Sequence, residues 1–97
     1  MAQPLFLKYS GEKIPVGWIL SPPEIDAGET IASCVVTIDP LVSGELEAVG
    51  SVIIGSEPSA AQMLAGGLEN EEYVVTYEMT TSGSKIIIKK IIVRIIF

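Results

Sequence analysis

The sequence contains no histidine and a single cysteine, Cys34, and both facts limit its chemistry. Without an imidazole, no serine or cysteine has the usual general base of a hydrolytic site. One thiol cannot form an intramolecular disulfide, and zinc sites built from several cysteines and histidines are excluded. We therefore expect Cys34 to behave as a small apolar residue, and we predict no catalytic residue, no metal and no cofactor.

Loops that bind phosphate or calcium are also missing from the sequence. Gly66-Gly67 lacks the spacing of a phosphate-binding loop, and no Gly-x-Gly-x-x-Gly segment follows a predicted strand. Asp26 with Glu29, and the acidic turn 69–72, offer carboxylates without the ligand spacing of a calcium loop. A small enzyme would need a cleft lined by such carboxylates, so we predict that the protein is not an enzyme.

Basic residues are scarce, with six lysines and arginines against twelve acidic residues and a net charge of −6. Four of the six lie between Lys85 and Arg94, which predicts a local positive stripe on an acidic molecule. A stripe of this kind is usually a solvated face or a guard against edge-to-edge strand pairing. Because the acidic remainder repels phosphate, we predict no binding to nucleic acid.

No apolar run is long enough to span a membrane as a helix, although the mean hydropathy is +0.50. The segment Ile86–Phe97 has twelve residues and three charges, whereas a spanning helix needs about twenty apolar residues. Residues 1–10 lack the basic cluster and apolar run of a signal peptide. We predict no membrane association, and we expect the apolar surface to be buried in a core or against other subunits.

The residues that are present predict β-structure. Tyr73, Val75, Tyr77 and Met79 alternate with more polar residues, and a second run rich in isoleucine follows Thr80–Ser84. This pattern predicts a long terminal hairpin in which Ser82-Gly83 supplies the corner with positive φ. Further strands are predicted near residues 5–9, 15–20, 30–38 and 48–54, while 59–65 fits a strand or a short helix. Together these segments predict an all-β antiparallel sandwich of about seven strands, with residues 1–97 as one domain.

The last strand suggests a surface for contacts. Strict alternation places Ile91, Val93, Ile95 and Phe97 inward, and the adjacent pair Lys89-Lys90 breaks this phase, which is typical of a bulge or a change of face. Apolar residues would then stand outside beside charged ones. We therefore hypothesise a subunit contact along this strand, and the candidate interface residues are Lys89, Lys90, Ile92, Arg94 and Ile96.

The only tryptophan, Trp18, has two interpretations. A tryptophan in a small sandwich usually fills the core, because its large area dominates the packing. An exposed Trp18 would instead stack on a sugar ring. Burial of Trp18 therefore separates a structural protein from a carbohydrate-binding one.

Several short motifs together resemble a known family. They are Trp18 with Asp26–Ser33, then Ala65-Gly66-Gly67 five residues before Tyr73–Thr76, then Thr80–Gly83, and finally Val93-Arg94-Ile95. Over residues 16–95 the chain resembles the small immunoglobulin-like structural proteins of phages, described as fibre–tail adaptor or tail-associated proteins. The resemblance implies an immunoglobulin-like β-sandwich, a strand at residues 60–65, and no catalytic residues. The prolines of Ser21-Pro22-Pro23 and the isoleucine-rich last strand depart from the family pattern.

We therefore interpret the protein as a non-enzymatic virion component of a phage or prophage, a tail or fibre adaptor or a decoration protein. Its expected partners are other virion or tail proteins, and it would form homo-oligomers if the last strand contacts a second copy. The expected location is the virion or the cytoplasm of the bacterial host. The alternative is a cell-surface or carbohydrate-binding immunoglobulin-like module, which would require an exposed Trp18 and an acidic calcium loop.

Overall fold

The computed structural model describes residues 4–21, 24–40, 42, 44–56 and 58–96. Seven strands and no helix are found in these ranges. The strands are β1 (Leu5–Lys8), β2 (Lys13–Ile19), β3 (Ile31–Asp39), β4 (Glu47–Gly55), β5 (Ser59–Ala65), β6 (Glu72–Thr81) and β7 (Ile86–Ile95). The predicted all-β fold is confirmed.

The strands form two packed sheets. The four-stranded sheet has the order β1-β7-β6-β3, and the three-stranded sheet has the order β2-β5-β4. Neighbouring strands are antiparallel except β1, which runs parallel to β7. Two mainly antiparallel sheets that bury one face each are consistent with the predicted immunoglobulin-like sandwich.

The core lies between the sheets and is centred on the inner face of β6. Tyr73, Val75, Tyr77 and Met79 are all 0% exposed, so the predicted alternation of this strand is confirmed. The Tyr77 hydroxyl donates to the carbonyl oxygen of Val16 in the opposite sheet at 2.5 Å. Burial raises the pKa of this phenol, which therefore remains a donor and joins the two sheets at every ordinary pH.

The segment 59–65, left open between helix and strand, is the central strand of the smaller sheet. Ala60, Gln62 and Leu64 are buried and the residues between them are only partly so, a period of two that a helix cannot produce. Gln62 places its amide among the backbone oxygens of Val49 and Gly50, at 3.0 and 3.2 Å. These bonds satisfy backbone carbonyl oxygens in the irregular part of β4, where the register shifts between Val49 and Ile53.

The predicted bulge at Lys89-Lys90 is wrong. The β6–β7 ladder runs without a register shift from Glu72–Arg94 to Thr80–Ile86, and Ile91, Val93 and Ile95 are buried as predicted. Regular alternation places Lys89 on the inner side of the sheet, at the rim, where a long side chain reaches a carboxylate. Phe97, also predicted to point inward, lies outside the described residues.

A buried lysine joins β1 to the turn after β5. Lys8 is 0% exposed, and its ammonium donates to the carbonyl oxygens of Gly66 at 2.7 Å and Tyr9 at 2.9 Å. Burial lowers the pKa of this ammonium, while the nearby Glu12 opposes the shift. The first strand is therefore held at both the four-stranded sheet and the turn at Gly66.

The terminal hairpin is held from outside by Glu29. Its carboxylate accepts hydrogen bonds from the Thr81 hydroxyl at 2.5 Å, the Gly83 amide at 3.1 Å and the Lys85 ammonium at 3.2 Å. A Cβ on Gly83 would lie 2.4 Å from this carboxylate, so a larger residue there would displace the Glu29 side chain. The positive φ predicted at Ser82-Gly83 is instead found at Ser84, with φ of 66°.

We predict that Glu29 makes the fold sensitive to acid. The hydrogen bond from Thr81, followed by those from the Asp26 amide and Lys85, lowers the pKa of Glu29 from 4.5 to about 2. A lowered pKa in the folded state means that this stabilisation is complete above pH 4.5 and is lost as the pH falls towards 2. Urea unfolding of the wild type and of Glu29→Gln between these pH values measures it.

Glu29→Gln should be less stable at neutral pH and should lose less stability on acidification than the wild type. The exposed Glu69→Gln is the matched control and should follow the wild-type curve. Parallel pH curves for wild type and Glu29→Gln would contradict the assignment.

Candidate interaction surface

The outer side of the four-stranded sheet carries the predicted interface, and we call it the β7 face. It contains the outward side chains of β7 and of its two neighbours: Leu5, Leu7, Glu72, Val74, Thr76, Glu78, Thr80, Ile86, Ile88, Lys90, Ile92 and Arg94. The register places Ile92 beside Leu5 on one side and Val74 on the other. This row is apolar across three strands.

Three of the predicted interface residues, Lys90, Ile92 and Arg94, share the β7 face because they alternate with the buried Ile91, Val93 and Ile95. Ile96 follows the strand and is half-buried, and its amide still donates to the carbonyl oxygen of Lys8 at 2.9 Å. Four of the five predicted residues, Lys90, Ile92, Arg94 and Ile96, therefore occupy alternate positions from the middle of β7 to the residue after it.

Lys89 does not lie with them. Its ammonium pairs with the carboxylate of Glu24 and stands 5.3 Å from the centre of the Trp18 ring. A cation over an indole ring is attracted by the negative face of the π-system. Lys89 therefore closes the rim of the core, and its inclusion in the outer interface is corrected.

Trp18 is half-buried and packs against the core, with Lys89 above its ring. Its indole Nε1 is buried and has no hydrogen-bond partner within the described part of the chain. A ring that stacks on sugar must offer a free face to solvent, so this placement favours the core interpretation of Trp18.

The predicted basic stripe is divided among three places. Lys85 pairs with Asp26 and Glu29 at 3.1 and 3.2 Å, and Arg94 pairs with Glu72 at 3.1 Å. These contacts raise the pKa of Lys85. For Lys90, no ion pair is found among the described residues. Since the four charges do not share one face, the stripe is not a continuous basic surface.

The acidic groups considered for calcium show no metal-binding geometry. No set of three potential ligands from histidine, cysteine, aspartate and glutamate comes together in the described ranges. Asp26 and Glu29 instead bind the terminal hairpin. Nor do these ranges contain a helix with the length and apolar character needed to cross a membrane.

The single cysteine is partly covered. Cys34 packs against the core from β3, and burial raises the pKa of its thiol. A raised pKa keeps the sulfur protonated and weakly nucleophilic near neutral pH. This agrees with the prediction that Cys34 acts as a small apolar residue.

A second apolar surface was missed by sequence reasoning. We call it the β5 face, the outer side of the three-stranded sheet, and it consists of Lys13, Pro15, Gly17, Ile19, Glu47, Val49, Ile53, Gly55, Ser59, Ala61, Met63 and Ala65. Charges occur only in the row formed by Lys13 and Glu47. The available signal was the absence of charge from residues 48–56 and 58–68.

A comparison with protein-family models finds a match over most of the chain. The family described as "Podophage GP4 fiber-tail adaptor protein gp77" matches residues 8–94, which include the end of β1 and almost all of β7. A search among curated proteins finds no match. The family match confirms the resemblance noted over residues 16–95.

We predict that the adjacent lysines differ in their structural roles. Lys89→Ala removes both the contact with the Trp18 ring and the pair with Glu24, and should cost about 1–2 kcal/mol of stability. Lys90→Ala is the matched control and should change stability by less than about 0.5 kcal/mol, because Lys90 is exposed.

Urea unfolding followed by Trp18 fluorescence measures both variants. The emission maximum should also move in Lys89→Ala and stay fixed in Lys90→Ala. Equal effects of the two substitutions would show that Lys89 has no special place at the rim.

Proposed function

Because the chain belongs to the podophage fibre–tail adaptor family, we propose that it is a non-enzymatic virion component that joins other tail and fibre proteins through the β7 face. The family description supplies the adaptor role. The observation that carries the choice of surface is two pairs of exposed aliphatic residues on this face, one pair on β1 and one at the start of β7.

Four aliphatic side chains of the β7 face are more than half exposed to solvent. Leu5, Leu7, Ile86 and Ile88 are 53%, 52%, 65% and 55% exposed. Covering each with a partner would contribute about 1.5–3 kcal/mol. Clustered exposed aliphatics mark contact sites more often than single ones do.

The charges on this face suit a partner of mixed polarity. The Arg94–Glu72 pair is about half exposed on both sides, and such surface pairs contribute only about 0–1 kcal/mol. Either member can therefore re-pair across an interface at little cost. Lys90 lies between the apolar residues Ile88 and Ile92, where it would meet an acidic side chain of the partner.

The mechanism is packing alone. Pairing with β6 from Ile86 to Arg94, and with β1 from Ile92 to Ile95, fixes the spacing of the outward side chains of β7, so the surface is formed before the partner arrives. A preformed surface loses little conformational entropy on binding. The adaptor role in the family description supports a place for the protein in the virion.

We predict that Ile88→Asp and Lys90→Glu weaken binding to the tail and fibre proteins encoded beside the gene. Loss of a buried aliphatic contact of about 1.5–3 kcal/mol corresponds to roughly a 10- to 100-fold weaker Kd. Pull-down of each purified tail protein, followed by calorimetry of the one that binds, measures the effect.

Ile53→Asp, on the opposite sheet and 58% exposed, is the matched control and should bind as the wild type does. Unchanged affinity in both β7-face variants, with Ile53→Asp defective, would overturn the choice of surface while leaving the adaptor role intact. Failure of every tail and fibre protein to bind would overturn the adaptor role itself.

A further inference from the structure

The β5 face is nearly uncharged and is ordered in four rows across three strands, with the irregular part of β4 between the second and third rows. The rows are Lys13–Ala65–Glu47, Pro15–Met63–Val49, Gly17–Ala61–Ile53 and Ile19–Ser59–Gly55, each running from β2 through β5 to β4. This face is on the side of the sandwich opposite to the β7 face. Binding at the β5 face is therefore independent of binding of a tail partner at the β7 face.

The charged row has opposite signs at its two ends. Lys13 and Glu47 pair in register with the same residue, Ala65, from opposite sides. Two strand spacings, or about 10 Å, separate their backbones, and no ion pair joins their side chains among the described residues. Both side chains are exposed, and Glu47 accepts one hydrogen bond from the Gly44 amide at 3.0 Å.

Two of the apolar rows have a large residue at one end and a glycine at the other. Ile53 on β4 shares its row with Gly17 on β2, and Ile19 on β2 shares its row with Gly55 on β4. Ile53 and Ile19 are 58% and 69% exposed. The face therefore carries one large side chain in each of these rows, on opposite edge strands, and no side chain at the other end of the row.

We propose that the β5 face binds the β5 face of a second copy of this chain, related by a two-fold axis parallel to β5. Rotation about that axis exchanges β2 and β4 and keeps each row level with itself. Lys13 of one copy then faces Glu47 of the other, twice per dimer. Ile53 of one copy then lies over Gly17 of the other, and Ile19 lies over Gly55, so neither isoleucine meets a second large side chain.

The other two-fold arrangement does not fit. An axis in the plane of the sheet but perpendicular to the strands reverses the order of the rows. It would place the charged Lys13 against Ile19, which desolvates an ammonium without an opposite charge. The parallel axis leaves no charge unpaired and keeps the strands aligned, as stacked sheets usually are.

The size of the face sets the strength of the dimer. Three strands about 4.8 Å apart and seven residues long form a plane of roughly 330 Å². Each copy would bury somewhat more than this because side chains project from the plane. Two such faces bury roughly 700–800 Å² in total, less than the about 1,200 Å² of the smallest stable interfaces, so we expect a weak dimer with a Kd of about 100 µM.

The decisive experiment mixes two charge variants of the full chain. Lys13→Glu places glutamate at both ends of the charged row, and Glu47→Lys places lysine at both ends. Each variant alone would bring like charges together twice, and its dimer should weaken by about tenfold or more. Mixed one to one, the two variants would form two opposite-charge pairs and recover dimerisation as a heterodimer.

Sedimentation velocity over about 5–500 µM measures these states, a range chosen to bracket the expected Kd. Ile53→Asp should be monomeric throughout, and Ile88→Asp, on the β7 face, should dimerise as the wild type does. Circular dichroism melts confirm that each variant is folded. Gly17 is not varied, because its Cβ would lie 2.0 Å from the Ala60 carbonyl oxygen within the same chain.

A wild type that stays monomeric to the highest concentration would overturn the proposal. A dimer that the charge variants do not weaken, or that mixing does not restore, would also overturn it, since both outcomes reject the parallel axis. Loss of the dimer in Ile88→Asp and not in Ile53→Asp would assign self-association to the β7 face instead.

Discussion

The inner face of β6 is the constraint on which the rest of the structure depends. Its four alternating side chains from Tyr73 to Met79 have no exposed area, and the Tyr77 hydroxyl reaches the opposite sheet. A strand has only two faces, so burying one determines the other. Because β7 is paired with β6 without interruption, its register is also determined, and Ile88, Lys90 and Ile92 must stand outside.

The same constraint on both sheets produces a molecule whose two broad outer faces are preformed. One face combines exposed aliphatic residues with charges of both signs, which suits a different protein as partner. The other is nearly uncharged and matches itself after a two-fold rotation. Two such faces would let a member of the fiber-tail adaptor family bind a second copy of itself on one side and a different protein on the other.

The sequence predicted the layers of the fold better than its local details. Period-two patterns located β6 and β7 because burial of one face of a strand makes apolar residues alternate with more polar ones. The pattern could not decide β5, since a short run of small residues fits either period. The Lys89 position was misread because a charged residue was assumed to point outward, whereas its long side chain reaches Glu24 past Trp18. The Glu29 contacts join residues more than fifty positions apart, which no local pattern reports.

Side-chain footprinting with hydroxyl radicals, applied to the assembled tail and to the dilute isolated protein, tests the two-face account most directly. The account predicts protection on assembly of Leu5, Ile88 and Ile92 on the β7 face, and of Ile19, Ile53 and Met63 on the β5 face. The exposed Leu68, in the loop between β5 and β6, should react equally in both samples. Protection confined to the loops and to β3, with both faces still reactive, would contradict it.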